Sequence, residues 1–141
     1  MRFSAEVVID ASPERVWAVY TDVSRWPEWT KSVTSVTPLD PGPLRLGQRV
    51  RVSQPKLPTT VWTVTALDEG RSWEWTATGP LARTVATHVV TPEGTGSRAT
   101  NAIDQGGPLG VLIGKLVAGL TDRYLVMEAE GLKARAESAA R

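Results

Sequence analysis

The chain holds one histidine, His88, two tyrosines, Tyr20 and Tyr124, and no cysteine. That inventory bounds the chemistry within reach. Without cysteine there is no disulfide, no thiol nucleophile and no thiolate-ligated zinc. One histidine cannot build a multi-histidine metal site, and no acidic loop gathers the carboxylates that a hard cation needs. No metal and no cofactor are therefore expected. A Ser-His-Asp triad would have to use His88, yet no Gly-x-Ser-x-Gly elbow presents the serine. Gly94-Thr95-Gly96-Ser97 lacks the lysine of a phosphate-binding loop, and no dinucleotide fingerprint is present. What remains is an enzyme with one or two polar groups in an apolar pocket, or no enzyme. His88 titrates nearest neutrality, and burial would lower its pKa. The phenols of Tyr20 and Tyr124 can orient a ligand or donate a proton. His88 and Tyr124 are the catalytic candidates.

Alternation places these groups. His88 shares its parity with Thr84, Ala86 and Val90, whereas the other parity carries Arg83, so His88 is expected inside. Asn101 alternates with Ala99 and Ile103 and is expected inside beside it. Buried polar groups need partners. His88 and Asn101 would satisfy each other, or a ligand carbonyl or hydroxyl would satisfy both. Trp62, Trp73 and Trp75 share the apolar faces of neighbouring strands, as core or as cavity wall, and Val52 lies on the apolar face of another strand. Six tryptophans against one phenylalanine is the compositional oddity. Large aromatics serve as core, cavity walls or interface anchors.

The elements that must position these residues are legible in order. Phe3 to Asp10 alternates as a strand with one apolar face. Ser12-Pro13-Glu14 starts a helix, with Ser12 as N-cap and Pro13 at the first helical position. A second short helix carries Trp26 and Trp29, three apart. Val33–Thr37, Gln48–Gln54, Thr60–Ala66, Ser72–Ala77, Ala82–Val90 and Ser97–Gln105 then read as strands separated by glycine and proline turns. From Gly106-Gly107-Pro108 onward a helix of roughly 28 residues, about 42 Å, runs toward the C-terminus. Its apolar stripe is read as Leu109, Ile113, Leu116, Leu120, Tyr124, Met127 and Gly131. A helix that long needs a curved sheet to receive it. Leu116, Leu120 and Tyr124 are expected to face that sheet, with any ligand held between. Gly110 and Gly114 mark either close approach to the sheet or room near the helix start.

Several phrases carry a family likeness: Ile9-Asp10-Ala11-Ser12-Pro13-Glu14-Arg15-Val16-Trp17, Asp22-Val23-Ser24-Arg25-Trp26-Pro27-Glu28-Trp29, Trp62-Thr63-Val64-Thr65-Ala66-Leu67 and Gly106-Gly107-Pro108-Leu109. With the element order they resemble the helix-grip, START-like (SRPBCC) superfamily, which includes Bet v 1-type proteins. Within it the chain is most similar to the polyketide cyclase/dehydrase and lipid-transport family. The resemblance spans essentially the whole chain. It implies an α+β fold: a curved seven-stranded antiparallel sheet around a long C-terminal helix, with two short helices after the first strand. It also puts Trp29 where the family keeps a cavity entrance, as part of that mouth or of the core. Members include aromatases, cyclases, and lipid and hormone carriers, so the likeness does not choose among activities.

Length and charge close the frame. The 141 residues suit one domain spanning 1–141 and can bury about 70% of the unfolded surface. Net charge is +1 with the basic residues scattered, which argues against nucleic acid. Lys115, Asp122 and Arg123 interrupt the best apolar run, so no membrane span is expected. Met1 to Glu6 lacks the core of a signal peptide, which with the missing cysteine points to the cytoplasm. The expected function is binding of a hydrophobic, ring-containing small molecule by a monomer or homodimer. Its site would draw on Tyr20, Trp29, Val52, Trp62, Trp73, Trp75, His88, Asn101, Leu116, Leu120 and Tyr124. The alternatives are a cyclase/dehydratase using His88 or Tyr124 as acid/base, and an interaction module presenting Trp26 and Trp29.

Overall fold

The computed structural model describes residues 1–80 and 82–139. Strand β1 (Arg2–Ile9) leads into helix α1 (Pro13–Thr21) and a 3-10 helix (Val23–Glu28). Ser12 caps α1 by accepting from the Arg15 N–H at 3.2 Å, and Pro13 opens the first turn. The 3-10 geometry of the next segment eclipses residues three apart, which sets Trp26 and Trp29 side by side with ring centroids 5.4 Å apart. Six strands follow: β2 (Ser35–Pro38), β3 (Arg49–Ser53), β4 (Thr60–Asp68), β5 (Ser72–Thr78), β6 (Arg83–Glu93) and β7 (Gly96–Gly106). They form an antiparallel meander, and β1 joins its far edge beside β7, giving the order β1-β7-β6-β5-β4-β3-β2. Helix α2 (Gly110–Ala139) closes the chain and packs on β1, β7 and α1. The helix-grip architecture expected from the sequence is thus present. Among the described residues no helix is long and apolar enough to cross a membrane.

Two local departures matter. The register between β4 and β5 shifts at Val64/Ala66, so that Val64 lies opposite Trp75 and Leu67, rather than Ala66, continues the inner face opposite Trp73. A bulge inserts one residue and flips the parity beyond it. The second departure is the facing of α2. Leu116, expected on the sheet, is 77% exposed, and Leu109, Val111 and Leu112 are exposed too. The inward row is Gly114, Val117, Thr121, Tyr124, Glu128 and Leu132, displaced around the helix from the row that the spacing suggested. The first turns of α2 are apolar on every side, so periodicity admits more than one stripe. Side-chain size selects among them. A Cβ on Gly110 would lie 3.1 Å from the Gln105 backbone, and one on Gly114 3.0 Å from Met1 Sδ, so no leucine fits on that side. The helix also starts at Gly110 rather than at Pro108, which occupies the preceding turn.

Candidate functional site

The strands bring His88 opposite Asn101 on one side and Trp73 on the other. The His88 ring stacks on Trp73, centroids 3.8 Å apart and planes inclined by 16°, and meets the Tyr20 ring edge-on at 5.2 Å. Its Nδ1 lies 3.3 Å from the Trp73 carbonyl oxygen. A carbonyl only accepts, so the proton sits on Nδ1 and Nε2 is left as an acceptor. Burial lowers the His88 pKa to about 3, partly opposed by that hydrogen bond. The imidazole is therefore neutral across the physiological range and has no proton to give as an imidazolium.

Of the two arrangements open to His88 and Asn101, mutual hydrogen bonding is not the one found. Asn101 Nδ2 donates to the Leu125 carbonyl of α2 at 3.2 Å, while its Oδ1 is buried without a partner. Since Leu125 offers only an acceptor, the amide orientation is fixed and the orphan atom is an oxygen. An orphan of this kind in a buried side chain costs about 1–3 kcal/mol.

Asn101 is one wall residue of a cavity between sheet and helix, made of two adjoining chambers. The inner one, about 40 Å³, is lined by Val52, Trp62, Trp75, His88, Asn101 and Glu128 among others. The outer one, about 270 Å³, lies under the first half of α2, with Ile113, Val117, Thr121 and Tyr124 facing the small side chains of Ala77, Ala82 and Thr84. Gln54, Trp62, Ile103, Leu125 and Glu128 border both chambers. The outer rim is the loop from β3 to β4. Its Gln54–Leu57 turn places Lys56 at φ 66°, and its Pro55 carbonyl accepts from the Tyr124 hydroxyl. Tyr124 therefore ties α2 to the rim and spends its proton on the backbone.

Of the residues singled out in the sequence, Val52, Trp62, Trp75, His88, Asn101 and Tyr124 come together around this cavity. The others do not. Trp73 is fully buried and Tyr20 is 2% exposed, both sealed in the aromatic core beside His88 rather than lining a chamber. Burial and the Glu128 carboxylate hold the Tyr20 phenol well above its ordinary pKa. Trp29 borders a separate polar groove with Arg25 and Arg135. Leu116 points to solvent, and the half-buried Leu120 borders neither chamber. Trp26, offered above to a protein partner, is 2% exposed and donates its indole N–H to the Tyr20 carbonyl at 3.0 Å.

The residue that sequence reasoning passed over is Glu128. It borders both chambers and has no hydrogen bond or ion pair, and burial pushes its carboxyl up to about 8. A signal was available: Glu128 falls one turn after Tyr124 and one turn before Leu132, on the face that is buried. Choosing the wrong stripe hid it. Among the described residues no three histidine, aspartate or glutamate side chains gather as a metal site.

The whole arrangement, a sheet gripping a helix over an internal cavity, agrees with the sequence comparison. Residues 1–137 match the polyketide cyclase/dehydrase and lipid transport family, and the chain belongs to it. No curated protein matches the sequence. Among solved structures it is similar to TTHA0849 from Thermus thermophilus, at 23% identity over all of both chains with a TM-score of 0.79. It is similar to the Zhui aromatase/cyclase from Streptomyces sp. R1128, at 17% identity over all of this chain and 96% of that one, TM-score 0.80. A START superfamily protein from Mycobacterium smegmatis shares 18% identity over 98% of each chain, TM-score 0.75. These likenesses establish the fold.

Proposed function

We propose that the chain is a single binding domain, acting in the cytoplasm as a monomer or homodimer, that takes up a hydrophobic, ring-containing small molecule in the cavity under α2. The observation that carries this reading is the outer chamber of about 270 Å³, walled by aliphatic side chains, bordered by the Trp62 indole and joined to a small polar inner chamber. Small-molecule sites have this build: apolar walls and a few polar groups that fix orientation. The cavity exists because α2 presents Val117 and Thr121 where it faces Ala77 and Thr84, side chains too short to meet.

Titrating flat aromatic, polyketide-like and lipid compounds while following indole emission tests it. A ligand that displaces cavity water beside Trp62 changes the local polarity and hence the emission. Ala77→Phe fills the outer chamber and should abolish that response while the protein stays folded. A wild-type emission unmoved by every compound class would sink the reading.

A second reading, a cyclase/dehydratase-type enzyme, draws support from Glu128. A carboxyl held protonated near neutrality beside an apolar chamber is suited to general acid catalysis. The neutral His88 and the engaged Tyr124 hydroxyl, the candidates favoured by the sequence, suit that task less well. Turnover that falls about a hundredfold or more in Glu128→Gln while binding survives would favour the enzyme.

A further inference from the structure

Apart from the indole N–H groups of Trp62 and Trp75, the polar side chains of the inner chamber present acceptors. The Glu128 carboxyl has no partner. Asn101 Oδ1 is an orphan, because Asn101 Nδ2 is turned to the Leu125 carbonyl. Gln54 repeats the pattern, its Nε2 donating to the Ser32 carbonyl at 3.1 Å and leaving Oε1. The His88 proton is turned to the Trp73 carbonyl. In each of these three side chains the donor is directed at the backbone and an acceptor remains. Among the described residues no lysine or arginine borders either chamber. Trp26, Trp62 and Trp75 complete the wall, the last two stacked with centroids 5.6 Å apart.

We propose that this chamber receives the ammonium head of a hydrophobic amine, held by Glu128 and Asn101 Oδ1 among the three indoles, while the apolar body of the amine fills the outer chamber. The proposal rests on the small-molecule reading above and names the ligand class. An ammonium supplies several N–H donors and the one charge that the lining lacks. An indole is the best aromatic partner for a cation. A volume of about 40 Å³ suits a primary ammonium, which is close to water in size. A neutral hydroxyl would answer Asn101 but leave the carboxyl without a counter-charge. A carboxylate ligand would meet Glu128 with no cation to offset it.

Binding is linked to a proton. Glu128 is mostly protonated below about pH 8, so a bound ammonium replaces that proton, and one proton leaves for each amine that enters. Affinity for the amine should rise as pH increases toward 8. Two other titratable groups near the site, Tyr20 and His88, stay uncharged in that window. Burial keeps the Tyr20 phenol of α1 protonated, and His88 on β6 is neutral.

The test uses three probes of one shape: 4-phenylbutylamine, 4-phenylbutanol and 4-phenylbutyrate, titrated by calorimetry and indole emission at pH 8. The amine should bind roughly tenfold or more tightly than the alcohol, and the carboxylate more weakly than either. Glu128→Gln should remove the preference for the amine, and Glu128→Asp should keep part of it. Should Glu128→Gln fail to fold, the wild-type protein still decides the matter. Calorimetry at neutral pH in two buffers of different ionisation enthalpy should report close to one proton released with the amine and none with the alcohol. An alcohol or carboxylate that binds as well as the amine, or an amine that releases no proton, would overturn the proposal and leave the cavity reading standing. If none of the three binds, the proposal falls, and the wider titration of aromatic, polyketide-like and lipid compounds decides the cavity reading separately.

Discussion

The two halves of α2 do opposite work. From Tyr124 to Ala136 the helix closes on the protein. Leu132 and Ala136 are buried to 1% and 0% exposure, and a Cβ on Gly131 would lie 2.0 Å from the Trp29 carbonyl oxygen. The fully buried Trp73 and the sealed Tyr20 lie in the same hydrophobic core as that half of the helix. From Gly110 to Thr121 the same helix spans an opening. There Val117 and Thr121 face Ala77, Ala82 and Thr84, all short side chains, while Leu112 and Leu116 point outward. One half is packed at the density of a core, and the other leaves space that a ligand can fill. Glu128 stands at the boundary, where a carboxyl is enclosed without being paired. Stability and binding are therefore separated along one element, and substitutions should sort by which half they touch.

The sharpest break of this comparison is a pair of tryptophan truncations. Trp73→Ala, in the closed half, should cost about 3–5 kcal/mol of stability, the usual range for emptying a packed aromatic site. Trp62→Ala, on the cavity wall, should cost clearly less, because its ring already borders space. Denaturant unfolding of both variants checks this, and equal losses would mean that the cavity wall is core after all. Glycine positions sharpen the same contrast. Gly131→Ala should destabilise by about 2–3 kcal/mol through its clash with the Trp29 backbone, in spite of a propensity gain of about 1 kcal/mol. Gly119→Ala, where a Cβ meets nothing within 4 Å, should show that gain of up to about 1 kcal/mol unopposed. A Gly131→Ala protein as stable as Gly119→Ala would refute the close crossing.

A third contrast lies in pH. The Glu128 carboxyl is raised from 4.5 to about 8 in the folded protein, so between those values the folded state holds more protons than the unfolded one. Its stabilising contribution is complete below pH 4.5 and is lost as pH rises through 8. His88 runs the other way. With its pKa depressed from 6.5 to about 3, it destabilises the fold as pH falls through that window. Above pH 6.5 only the Glu128 effect survives of the two. Between pH 6.5 and 8.5 the melting temperature of the wild type should therefore fall relative to that of Glu128→Gln. Parallel curves would show that Glu128 is solvated or paired.

Much of this protein is written in local sequence. The Ser12-Pro13 cap, the strand alternation, the turns at Gly70 and Gly94 and the long C-terminal helix follow from residue chemistry within a few positions. The inward parity of His88 and Asn101 followed in the same way, because a strand has only two faces. A helix has a continuous circumference, and the apolar start of α2 leaves its orientation undetermined until the sheet is in place. Close contact of Gly114 with Met1 and of Gly131 with the Trp29 backbone then decides it, and that contact is tertiary. The same decision turned Leu116 outward and Glu128 inward. Likewise, which tryptophans are core depends on what stands across from them. Trp73 lies under His88 and Tyr20, whereas Trp62 borders the space left by side chains distant in sequence. Sequence by itself determined the elements and the face of each strand, except beyond the bulge at Val64/Ala66 in β4. Only the tertiary structure determined where the helix leaves a void, because a void is set by what fails to meet across it.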